Sequence, residues 1–147
     1  MLNEKEKIAS NLKKSKMIKR LLIYLGGLLT IVWGVSHIIP TGNIVKGFGY
    51  ISADNINIIK MEWVNEGFTL IFIGVLNILV TVAGGNNNRV AKVVYILTFI
   101  MLAVMSVWSL NTGFKIDFLP YKLCPLIFMT SGLLILHGVT TREKRVI

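Results

Sequence analysis

Polar and apolar residues in this chain fall into blocks and not into an alternation. After a basic leader ending at Arg20, no Lys, Arg, Asp or Glu occurs until Lys46. Three further runs without those residues cover 67–88, 93–114 and 123–141. A helix needs about 20 apolar residues to cross the hydrocarbon core, and each run is long enough. Backbone groups in lipid must bond within their own segment, so helices are the expected form. The pattern predicts four spans, at 18–39, 57–83, 89–111 and 122–139.

Local signals punctuate these spans. Pro40 ends the first, because the residue before a proline leaves the helical region. Asp54 is placed to cap the second span, and GGNNNR from Gly84 to Arg89 reads as a tight turn. Asn111-Thr112-Gly113 suits a glycine cap on the third span, and Pro125 a first-turn position in the fourth. Gly26, Gly27, Thr30 and Gly34 give the first span a face of small residues for close helix packing. The segment from Pro40 to Lys60 is a long connection, rich in glycine, that could cover a site. VWGVS at 32–36 and VWSLN at 107–111 hint at two related helical hairpins.

Composition agrees. Hydrophobic residues make up 54% of 147 residues, more than a soluble domain of this length can hide. The expectation is one all-α domain over 1–147, a four-helix transmembrane bundle in the cell membrane. The leader is long for a signal peptide and no small-x-small cleavage site follows, so the first span is expected to be retained.

Charge sets the expected orientation. Lys5, Lys7, Lys13, Lys14, Lys16, Lys19, Arg20, Arg89, Lys92, Arg142, Lys144 and Arg145 fall on one side of a four-span chain. Only Lys46, Lys60, Lys115 and Lys122 fall on the other. The positive-inside rule then places both termini in the cytoplasm. The net charge of +9 is thereby assigned to topology and to anionic lipid, which argues against a nucleic-acid partner. Trp33, Trp63, Trp108, Tyr50 and Tyr121 cluster toward the outer interface, and Tyr24 and Tyr95 toward the inner one. Abundant Ile, Asn and Lys suit a bacterial plasma membrane.

Candidate chemistry lies at the start of the second span. Glu62 and Glu66 are four residues apart, on one helical face, just before a long apolar run. Asn77 and Thr81 continue that polar line. His37, in the last turn of the first span, falls at the level of Glu66, and Asn111 and Asp117 could join from the third connection. The expected pocket is therefore His37, Glu62, Glu66, Asn77, Asn111 and Asp117. Its structural alternative is a His37–Glu66 contact that merely ties two helices. One histidine and two acids without a ligand motif predict no metal site. Cys124 is the single cysteine, which excludes an internal disulfide. His137 lies near the opposite end of the fourth span and is expected to be an interfacial polar residue.

WGVSHIIPTG at 33–42, followed by a loop and MEWVNEGFTLIFIGVL at 61–76, resembles a set of small bacterial membrane proteins. In topology most of the chain resembles the DoxX-like group. That resemblance implies four short helices and, for some members, a role as a small subunit of a quinone-using membrane oxidoreductase. It carries no catalytic residue onto this chain.

The expected function is a multi-pass protein with an outward polar pocket. It would bind a lipid-like or quinone-like molecule, or serve as an accessory subunit to a membrane partner or in a homo-oligomer. Two alternatives remain open at the sequence level. One is an oxidoreductase or isomerase with Glu66 and His37 as acid and base. The other is a small transporter subunit with a path along Glu66, Asn77 and Thr81.

Overall fold

The structure, a computed structural model, describes residues 3–84, 88–113 and 119–140. They form five helices: α1 (Glu4–Ile38), α2 (Thr41–Gly47), α3 (Ala53–Gly84), α4 (Arg89–Gly113) and α5 (Leu119–Thr140). All but α2 are long and apolar enough to cross a membrane. Their outward faces carry Leu21, Leu28, Phe68, Phe72, Val82, Val104 and Leu126, a surface suited to lipid.

Helix starts differ from the sequence expectation. α1 begins at Glu4, far upstream of 18, because the basic leader is itself helical. The Asn3 backbone N–H donates to Glu6 Oε2 at 3.3 Å, half of a capping box, and no proline or glycine interrupts the leader. Hydrophobicity marks where a helix can enter lipid, not where helical backbone begins. At 35 residues α1 is about 52 Å long, against roughly 30 Å of hydrocarbon. Asp54 is not the cap of α3. That place belongs to Ser52, whose Oγ accepts from the Asn55 N–H at 3.3 Å. Pro125 lies inside α5 and not in its first turn, since the helix already starts at Leu119. Gly113 is the last residue of α4. The long connection holds α2, which the glycines at 42 and 47 disguised as turns. The 85–87 part of the predicted turn lies outside the described residues, but Asn88 Oδ1 caps α4 by accepting from the Val90 N–H at 3.0 Å.

The four long helices close a ring in the order α1, α3, α4, α5. α1 packs closely on α3 and on α5, and α5 on α4, while α3 and α4 touch sparsely. The α1–α3 seam is built on glycines from both helices. A Cβ on Gly34 would stand 2.6 Å from the Gly67 carbonyl oxygen, and one on Gly67 2.8 Å from that of Gly34. Gly27 and Gly74 oppose each other in the same way farther along. Gly26 turns instead to α5, where a Cβ would lie 2.8 Å from the Ser131 carbonyl oxygen. The expected small-residue face thus serves two neighbours. Ile23, Leu70, Tyr95, Leu102, Phe128 and Ile135 fill the core between the helices.

The loose α3–α4 seam has two different halves. Toward the turn that joins these helices it is stitched by polar groups. Asn77 Nδ2 donates to Thr98 Oγ1 at 3.0 Å and to the Ile73 carbonyl at 2.7 Å. Thr81 Oγ1 donates to the Asn77 carbonyl at 2.7 Å, so the Tyr95 hydroxyl is the donor in its 2.8 Å bond to Thr81. Tyr95 is fully buried there. Toward the other end the seam opens.

Candidate functional site

The opening is a groove of about 530 Å³. α3 lines it with Ile58, Glu62, Glu66 and Thr69, α4 with Met101 and Met105, α2's end with Phe48 and α5 with Tyr121. Beside it lies a second, partly open space of about 290 Å³, the chamber, bounded by His37, Glu66, Met105, Trp108, Thr112, Tyr121 and Cys124. Glu66, Met105 and Tyr121 line both spaces, so they form the boundary between groove and chamber.

His37 is positioned by the end of α1. It is 3% exposed, and Pro40 halts the helix just beyond it. Its Nδ1 lies 3.2 Å from the Trp33 carbonyl oxygen. A carbonyl only accepts, so this contact assigns the ring proton to Nδ1 and leaves Nε2 turned to the chamber. Nε2 stands 3.7 Å from Glu66 Oε1 and 3.9 Å from Cys124 Sγ. The carboxylate distance is longer than a hydrogen bond while the thiol can donate to Nε2, so Glu66 keeps capacity for a further partner. The ring stacks on Trp63 with centroids 4.9 Å apart and meets Trp33 edge-on at 5.5 Å. Trp63 meets Tyr121 edge-on at 5.3 Å. Trp63 Nε1 donates to the His37 carbonyl, one of those left over at the helix end.

Of the expected pocket, the structure brings His37 to Glu66, while Glu62 shares only the groove with Glu66. Asn77 is not with them. It lies eleven residues beyond Glu66, about 16 Å along the helix, and its amide is engaged by α4. Asn111 is exposed and borders neither space. Asp117 lies outside the described residues. Trp33, Trp63, Tyr121 and Cys124 were not expected in the site. The tryptophans looked like interfacial anchors, yet only Trp108, 71% exposed, faces outward. Trp33 is half-buried and Trp63 buried because they flank the imidazole. Tyr121 and Cys124 enter because α5 begins before Pro125 and brings its first turns against α1 and α3. Among the described residues, no group of three His, Cys, Asp or Glu side chains is placed to hold a metal ion.

No protein-family model, no curated protein and no solved structure matches this chain, so the chemistry of the site follows from its own geometry. That geometry is an apolar lateral groove ending at a carboxylate, an imidazole nitrogen and aromatic faces. It can seat an amphiphile with its tail in the seam, or pass a proton between His37 and a group held against Glu66.

Proposed function

We propose that this chain is a multi-pass membrane protein that holds a membrane amphiphile. The head would lie at Glu66 and His37 and the tail in the α3–α4 groove. Both termini are taken as cytoplasmic, which puts the site on the outer side of the membrane. The observation that carries this reading is the place of Glu66, which lines both the open groove and the chamber. The groove sets the apolar side chains Ile58, Met101 and Met105 alongside the carboxylates. A groove of this volume lies within the range typical of small-molecule sites.

Acid–base catalysis is the second reading, favoured by the assigned tautomer. Nε2 and Glu66 Oε1 face one another at a distance that leaves room for a reacting group beside them. A transport path along Asn77 and Thr81 has less support, since both are buried and bonded to α4 and neither lines the groove or the chamber.

The test is detergent-free extraction into lipid nanodiscs, followed by mass spectrometry of the small molecules that stay bound. A specific amphiphile retained by the wild type and lost in Glu66→Gln, with the helical fold intact, is the expected outcome. Nothing retained by either protein, with the substitution lowering only stability, would make Glu66 and His37 a helix tie and favour an accessory-subunit role.

A further inference from the structure

We infer that the head of this amphiphile is a net-positive amine, a long-chain ammonium, and not a quinone ring or a phosphate-bearing lipid head. The inference rests on the amphiphile site proposed above and concerns which head it accepts.

The first ground is the direction of the protons. His37 Nδ1–H points to the Trp33 carbonyl. Trp63 Nε1–H points to the His37 carbonyl. Thr69 Oγ1 donates to the Asn65 carbonyl at 2.8 Å, and Thr112 Oγ1 to the Trp108 carbonyl at 3.0 Å. Each of these donors is turned onto backbone. What they leave for a ligand is the hydroxyl lone pairs of Thr69 and Thr112, since Nε2 of His37 already faces the Cys124 thiol at 3.9 Å. Trp33 Nε1 is buried without a partner among the described residues and lines neither space. Asn65 in the groove and Ser109 in the chamber also carry N–H or O–H groups, so hydrogen bonding leaves several heads possible and charge decides among them.

The second ground is charge. Glu62 and Glu66 line the groove, and among the described residues no Lys or Arg lines either the groove or the chamber. A quinone is neutral and would leave both carboxylates without a counter-charge. A phosphate would face two carboxylates with no cation against it. An ammonium meets carboxylates and the aromatic faces of Trp63, Tyr121 and Phe48, which attract cations. The third ground is Ile58, Ile59, Met101 and Met105 in the groove lining, which offer an alkyl tail apolar contact. It favours a membrane-dissolved ligand over a free soluble amine.

The tryptophans make the test direct. The chain has 3 tryptophans, and Trp33 and Trp63 both touch His37. Full-length Trp108→Phe protein in zwitterionic nanodiscs is titrated with dodecylammonium, dodecanol and methylammonium while emission is followed. Dodecylammonium should change the emission saturably. Dodecanol and methylammonium should each bind at least about tenfold more weakly, for want of the charge and of the tail respectively. Glu66→Gln should weaken dodecylammonium by a similar factor, and so should Glu62→Gln, an exposed site whose change does not threaten folding. Equal binding of dodecanol would overturn the cationic head and leave an amphiphile pocket standing. Equal binding of methylammonium would overturn the membrane ligand. No response to any dodecyl compound would overturn both this inference and the pocket it rests on.

Discussion

His37 is held by backbone on one side and left open on the other, and that asymmetry defines the site. Its ring proton is fixed by Trp33, its plane by Trp63, and its carbonyl by the Trp63 indole N–H. Trp63→Phe keeps an aromatic ring on the imidazole but removes the indole N–H from the carbonyl. The expected cost is about 1 kcal/mol of stability, read from unfolding in mixed micelles, with helical content retained. An unchanged midpoint would mean that the His37 carbonyl finds equal satisfaction elsewhere, the 3.3 Å contact with Thr41 Oγ1 being the nearest substitute. Much of this was legible in the chain. The four-residue spacing put Glu62 and Glu66 on one face of α3, and the depth of His37 just before Pro40 put it at the level of Glu66. The inward turn of Trp33 and Trp63 was not legible. Tryptophan is equally at home at a membrane interface and against a ring, and only the packing of α1 on α3 decides between them.

Among elements, α1 and α3 are joined where side chains are missing, whereas α3 and α4 are joined where polar side chains reach across. Gly67→Val should therefore be severe, since its Cβ would meet the Gly34 carbonyl and the Ile38 side chain. A loss of 1–3 kcal/mol or more is expected, roughly the cost of overpacking, while Gly42→Ala meets nothing and should be neutral. Thr98→Val removes the acceptor for Asn77 and should cost about 0.6–2 kcal/mol, the range for hydrogen bonds between membrane helices. Both are measurable as shifts in a reversible detergent-unfolding midpoint. The glycine face of α1 was visible in the sequence, because small residues recur on one side of the helix. The partner of Asn77 was not, because the register between α3 and α4 is set by tertiary packing that no local pattern records. The leader shows a different gap. Its lysines describe where the chain stays out of lipid, while its helical backbone is fixed by capping and by uninterrupted helix-forming residues. Backbone amides of 5–17 should accordingly exchange hydrogen slowly compared with an unstructured tail. Fast exchange throughout that stretch would contradict a continuous α1.

The whole molecule is a ring of four long helices that is tight on three seams and divided on the fourth. Polar stitches close that seam at one end, and at the other it gives way to a groove ending on Glu66. A bundle built only for stability would continue the stitching. Here the opening coincides with the titratable groups, as the proposed amphiphile site requires. Blocks of hydrophobicity announce four spans but carry no information about which seam is loose.

Photo-crosslinking from the bilayer tests this most directly. A lipid carrying a diazirine in its acyl chain is incorporated with the full-length protein, and adducts are mapped by mass spectrometry. Outward-facing Phe72, Val104 and Met101 should react in any case. Adducts on Met105 and Glu66, where groove and chamber meet, are expected if the seam admits a chain from the membrane. Adducts confined to the outward faces, with Met105 and Glu66 unmodified, would contradict a lateral entrance and leave the glutamate and histidine as a structural tie between helices.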